Sequence, residues 1–127
     1  MSKTNYLEEV LLNHVLRAIS YSSPAAVYIA LFTVAPTETG GGTEVTGGGY
    51  TRQTVVFSVP SGGTVSNSAD LIFPVASAPW GIVVAFAIMD AAAAGNMLYY
   101  GNLTATRDVQ INDQIKFPVG QLIVQED

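Results

Sequence analysis

Ile82 to Met89 reads IVVAFAIM, an unbroken apolar run with Pro79-Trp80-Gly81 before it and the small-residue turn Asp90 to Gly95 after it. A strand buried on both faces needs such a run, because neither of its alternating sets of side chains meets water. Working outward, Ala26 to Thr33 (AVYIALFT) has the same texture, so two strands belong to a sheet interior. Around them lie shorter β runs divided by turn residues. Tyr50 to Val59 alternates, with Val55 and Phe57 on one face and Thr54, Val56 and Ser58 on the other. Pro60-Ser61-Gly62-Gly63 is a turn ahead of a strand through Ala69 to Phe73. Met97 to Tyr100, Val109 to Ile111, Ile115 to Phe117 and Leu122 to Val124 follow, with turns at Asn112-Asp113 and Pro118-Val119-Gly120. Pro36 to Gly49 holds six glycines and two glutamates with almost no apolar content, and reads as a long exposed loop.

Ahead of the β region, Leu7, Val10, Leu11, Val15, Ala18 and Ile19 recur at a helical period between Asn5 and Ile19. Asn5 with Glu8 three residues on resembles a capping box, and Tyr21-Ser22-Ser23-Pro24 ends the segment. The expected fold class is therefore mainly β: a single antiparallel β-sandwich, jelly-roll-like, of seven or eight strands, preceded by one N-terminal amphipathic helix. Residues 1–22 form the helix or arm and 23–127 the β-sandwich, one domain overall.

Charge narrows the partners. The chain has 127 residues, enough for one domain with a sizeable core at 49% hydrophobic content, yet only 12% are charged. That is about half the usual share, so much of the surface is expected to be covered by neighbours. Ten acidic residues outweigh five basic ones, a net charge of −5. Lys3, Arg17, Arg52, Arg107 and Lys116 are scattered, without the cluster that nucleic-acid binding requires. No apolar run reaches the roughly 18–20 residues of a membrane span, and the early Glu8-Glu9 pair is wrong for a signal peptide. Synthesis in a cytoplasm is expected.

Chemistry is sparse. With no cysteine and a single histidine, His14, there is no disulfide, thiol nucleophile or Cys-based metal site. His14 reads as a partly buried helix residue bonded to backbone. Gly40-Gly41-Gly42 and Gly47-Gly48-Gly49 lack the lysine and following helix of a phosphate loop. Asp70, Asp90, Asp108 and Asp113 sit at turns without a calcium-loop pattern, and Glu8-Glu9 does not make a hydrolytic carboxylate pair. Asn102-Leu103-Thr104 fits a glycosylation sequon and reads as chance. Tyr50, Trp80, Tyr99 and Tyr100 offer an aromatic carbohydrate platform, against which Trp80 also reads as a core anchor. No catalytic, cofactor-binding or metal-binding residue is expected, and hence no enzyme. The candidate interaction residues are Tyr6, Leu7, Val10 and Leu11 on the helix and Gly47, Gly48, Gly49, Tyr50 and Arg52 after it. The helix either clamps a neighbouring subunit or covers one open face of the sandwich, and the two uses are compatible.

Several motifs resemble a known family. Lys3 to Glu8, Leu11 to Val15, Tyr28 to Thr33, Thr43-Glu44-Val45, Gly47 to Gln53, Ser66-Asn67, Phe73 to Ala76, Trp80-Gly81, Asp90-Ala91 and Gly95 to Gly101 stand in an order similar to that of small tailed-bacteriophage virion proteins, over essentially the whole chain. The resemblance implies a virion structural protein made in the host bacterial cytoplasm, with the major capsid protein or other virion proteins as partners. A dimer or trimer is expected of a decoration protein, and the charge pattern and hydropathy leave neither nucleic acid nor membrane as a ligand. Family members carry descriptions such as tail fibre or minor tail protein, while size and a single β-domain also fit capsid decoration (cement) proteins. The absence of repeats and of coiled-coil heptads favours decoration of the icosahedral head over a tail or tail-fibre protein involved in host attachment.

Overall fold

The computed structural model describes residues 1–126. Its elements run β1 (Ser2–Lys3), α1 (Asn5–Leu16), β2 (Val27–Val34), β3 (Thr43–Glu44), β4 (Gln53–Val55), β5 (Thr64–Ser66), β6 (Leu71–Ile72), β7 (Gly81–Met89), β8 (Met97–Val109), β9 (Lys116–Phe117) and β10 (Ile123–Gln125). The two apolar runs are the interior strands: β7 pairs antiparallel with β2 on one side and β8 on the other. β1 adds to β8, and β3 and β4 share the outer edge of β2 end to end, completing a six-stranded sheet. The second layer consists of two separate pairs, β5 with β10 and β6 with β9, rather than one continuous sheet. The chain is mainly β and antiparallel, with one N-terminal helix.

Alternation along β2 explains why its run is continuous. Ile29 and Leu31 enter the main core with Val83, Ile88, Val109 and Phe73, while Ala30 and Phe32 pack on the opposite face with Ala85, Ala87 and Met89. Phe73 is fully buried, stacked on Tyr50 at 6.2 Å and edge-on to Phe117 at 6.3 Å. The buried Asn67 supplies the polar stitching that short strands lack. Its Nδ2 donates to the carbonyls of Ala69 (2.8 Å) and Pro118 (3.0 Å), and its Oδ1 accepts from the Leu122 amide (3.0 Å).

Four expectations need correction. Helix α1 is capped by Thr4, not by an Asn5–Glu8 box. Thr4 has extended backbone and its Oγ1 accepts from the Leu7 amide at 3.3 Å, whereas the Asn5 amide donates to the Glu38 carbonyl. The helix also stops at Leu16, three residues before Ile19: Ala18 takes a left-handed φ of 56°, which lets the Ile19 amide return to the Asn13 carbonyl. β8 runs far past Tyr100, because pairing with β7 holds the polar residues Asn102, Arg107 and Asp108 in the sheet. Finally, residues 36–49 are not an exposed loop throughout. Their glycines fold them back so that Thr43–Glu44 pairs with β2, Pro36 and Val45 are buried, and the Val45 amide donates to the Leu31 carbonyl.

Candidate functional site

The loop residues singled out from sequence come together, but they face inward. Tyr50 Oη donates to Glu44 Oε2 at 2.6 Å and accepts from the Leu31 amide at 3.0 Å. Arg52 reaches the same carboxylate through two bonds and spends Nη1 on the carbonyls of Ala91 and Ala94. Burial opposes ionisation of Glu44, yet the Arg52 and Tyr50 hydrogen bonds outweigh it and hold its pKa below the ordinary value. Burial, reinforced by the Glu44 carboxylate, pushes the Tyr50 phenol well above its ordinary range. The Arg52 side chain is only 8% exposed, so this network fastens two loops and offers no free charge to a ligand.

Gly48 is fixed just as firmly. Its carbonyl accepts from Trp80 Nε1 and from the Ser77 amide, both at 2.9 Å. Trp80 is buried and meets Tyr50 edge-on at 5.4 Å, so Trp80 and Tyr50 do not form an exposed carbohydrate platform. Tyr99 and Tyr100 are also partly buried, and Tyr99 Oη donates to Glu126 Oε2 at 2.7 Å. Gly47 and Gly49 are exposed beside this anchor.

The helix has two apolar sides. Leu7 is buried in the core, and Tyr6, Val10 and Leu11 are partly buried against it, so the first half of α1 covers its own β-domain. At 100° per residue, Leu12 points about half a turn away from that stripe, Val15 lies at its Leu11 edge and Leu16 again points away. They are 57%, 71% and 73% exposed, and Ile19 just beyond is 45% exposed. Val15 and Ile19 are thus not part of the core-facing stripe in which their spacing places them. Residues 12, 15, 16 and 19 form a second i, i+3, i+4, i+7 series, and that doubled pattern is the sequence signal for an outer contact face.

Other candidates are accounted for locally. His14 is exposed, not partly buried, because the helix overhangs the domain there; its Nδ1 lies 3.2 Å from the Ile19 carbonyl. Asp90 and Asp113 accept from the nearby amides of Asn96 and Gln110, the turn role expected of aspartate, whereas Asp70 accepts from the distant Val119 amide and Asp108 lies within β8, accepting from Gln110 Nε2. Among the described residues there is no group of three or more His, Cys, Asp or Glu placed to hold a metal ion, and no helix long and apolar enough to cross a membrane. A cleft of about 670 Å³ lies between the start of α1, Gly40 to Gly42 and Ala94 to Met97, with Phe32, Glu44 and Arg52 among its walls.

Residues 2–125 match the family described as Podophage GP4 fiber I protein gp80. The chain belongs to this family. It is a tailed-phage virion structural protein of fibre type, associated with other virion proteins. The match favours the tail-fibre alternative over head decoration. No match was found among curated proteins.

Proposed function

We propose that this fibre-family chain is a non-enzymatic structural subunit of the phage tail-fibre apparatus, built into the virion through the outer face of α1 and serving host attachment as part of that assembly. The observation that carries the reading is the row Leu12, Val15, Leu16 and Ile19, large apolar side chains left to water at the end of a helix whose other side is anchored in the domain. A contiguous exposed apolar row of this kind marks a protein contact. The inward-facing Glu44–Arg52–Tyr50 network supports the same reading, since its perturbed ionisable groups brace loops and activate no nucleophile. The fibre family supports placement at the tail. Decoration of the head would also cover the apolar row, and its support is the size and single β-domain of the chain together with the absence of repeats and heptads.

Copies per virion and position decide between these placements. Gold-labelled chain is expected at the tail in a small fixed number, and label spread over the head in proportion to the major capsid protein would overturn the tail reading. Incorporation is expected to fail for the exposed double substitution Leu12→Gln, Leu16→Gln with its circular dichroism unchanged. Normal incorporation of that variant would remove α1 as the assembly surface.

A further inference from the structure

We infer that the cleft beside the start of α1 is a binding site for a neutral saccharide. The inference rests on the host-attachment part of the proposed function and names a ligand class for it. The rim of the cleft is a closed ring of hydrogen bonds. The Asn5 amide donates to the Glu38 carbonyl at 2.8 Å, joining α1 to the loop after β2, and that loop runs on into β3. Arg52 then holds Glu44 of β3 and the carbonyls of Ala91 and Ala94 in the turn before β8. Within that turn the Asn96 amide donates to Asp90 Oδ1 at 2.7 Å. Thr4 Oγ1 closes the ring at α1 by donating to the Met97 carbonyl at 2.6 Å. Walls tied together in this way lose little freedom on binding, which matters most for a weakly held, hydroxyl-rich ligand. The enclosed space, about 670 Å³, is that of a small-molecule site.

The lining selects the ligand class. Phe32 and Met89 are buried and Met97 is partly buried, an apolar lining for the C–H face of a sugar ring, and Tyr6 adds an aromatic wall. Arg52 and Glu44 neutralise one another. The exposed side chains of Asn5 and Glu38, by contrast, make no hydrogen bond or ion pair among the described residues. Asn96 spends its Nδ2 on Asp90 Oδ2 at 3.1 Å and keeps Oδ1 as an acceptor. A hydroxyl both donates and accepts, so a ring of hydroxyls suits this mixture of a carboxylate, a carboxamide and an amide oxygen. At Gly40 and Gly41 an added Cβ would meet nothing within 4 Å, so no side chain covers the backbone of that wall. Glu38 is the unpaired charge among the described lining residues, and it repels anionic sugars and phosphates. A simple cation gains little from one exposed carboxylate and leaves the apolar lining unused.

Titration of the isotope-labelled full chain with glucose, galactose, mannose and N-acetylglucosamine, followed by amide chemical shifts, tests this. At least one of the four is expected to bind with a Kd of about 1 mM, with the shifts gathered at residues 4–6, 38–42 and 94–97. Glu38→Ala and Asn5→Ala, both at exposed side chains, keep the melting temperature and each weaken that binding by about tenfold. Glucuronic acid and glucosamine place a negative and a positive charge on the same ring, and both are expected to bind less tightly than the best neutral sugar. No shift at the cleft with any of the four up to about 100 mM, shifts only elsewhere, indifference to both variants, or tighter binding of either charged sugar would overturn the inference. Virions carrying Glu38→Ala separate it from the reading beneath it. Sugar binding by the purified chain together with normal adsorption of those virions overturns the role in host attachment alone, whereas impaired adsorption without any sugar binding overturns the saccharide alone.

Discussion

Arg52 and Glu44 meet through two parallel hydrogen bonds, Nε to Oε2 at 2.9 Å and Nη2 to Oε1 at 2.8 Å, while Nη1 of the same guanidinium caps the carbonyls of Ala91 and Ala94. One side chain therefore ties β3 to the turn that follows β7. Replacing Arg52 by Met leaves a half-buried carboxylate and two carbonyls without that donor. A loss of about 3 kcal/mol is expected, measured as the unfolding free energy in urea. Amide exchange should quicken together at residues 43–45 and 91–96. Quickening at only one of the two segments would show that Arg52 does not couple them.

Acid should weaken the same link. Because Arg52 and Tyr50 hold the Glu44 pKa below its ordinary 4.5, the folded chain binds this proton less readily than the unfolded chain. The stabilisation is complete above the ordinary value and disappears as pH falls below it through the folded value. At the alkaline end Tyr50 is raised above its ordinary 10.0, so its contribution is present below that pH and is lost as pH rises beyond it. Melting temperature against pH should fall at both ends. In Glu44→Gln the acid limb should flatten between about pH 5 and 3; an unchanged limb would assign acid sensitivity to other carboxylates.

Two neighbouring glycines should respond differently to the same methyl group. Gly47 has φ +74° with nothing within 4 Å of a Cβ, so Gly47→Ala meets backbone strain alone. Gly48 has φ +60°, and its Cβ would lie 2.7 Å from the Ala78 carbonyl and 2.8 Å from the Trp80 ring. Costs of about 1 kcal/mol for Gly47→Ala and about 3 kcal/mol for Gly48→Ala are expected. The single tryptophan is the reporter: emission from Trp80 should shift to the red only in Gly48→Ala. Equal costs would mean that the loop carries the strain without the Trp80 contact.

How much of this was legible in the sequence follows from what each signal reports. Continuous apolar runs report burial on both faces, and β2 and β7 stand where their runs predict. A strand whose residues are polar gives no such signal. Gly101 to Arg107 of β8 is extended because β7 lies beside it, a tertiary cause absent from local composition. Periodicity on α1 reported that one side is apolar but not that two are, since Val15 and Ile19 fit the inner stripe by spacing and lie outside by geometry. Thr4 and Asn5 are both good caps by type, and the cap falls on Thr4 because its amide and hydroxyl are held by the Leu98 and Met97 carbonyls, long-range contacts that local sequence does not report. Trp80 reads in sequence as core or platform and Tyr50 only as a platform or contact residue; the Gly48 carbonyl and Glu44 carboxylate that draw their polar ends inward put both in the core.

The end of α1 offers a test in which a substitution should stabilise. Ala18 holds φ at 56°, a region that costs a residue with a Cβ about 1 kcal/mol or more. It does so because the chain closes a helix-ending motif there, with the Ile19 amide returned to the Asn13 carbonyl at 3.1 Å. Ala18→Gly removes the Cβ strain but adds backbone freedom to the unfolded chain, which offsets part of the gain. A net stabilisation of about 0.5 kcal/mol is expected. Ala18→Val places a β-branched side chain in the same region and should cost about 1–2 kcal/mol. Because this motif sets the position of the exposed Ile19, Ala18→Val should also reduce incorporation into virions. Paired melting and virion-incorporation measurements check both effects, and a stabilised Ala18→Val would show that the helix does not end in a left-handed residue at this position.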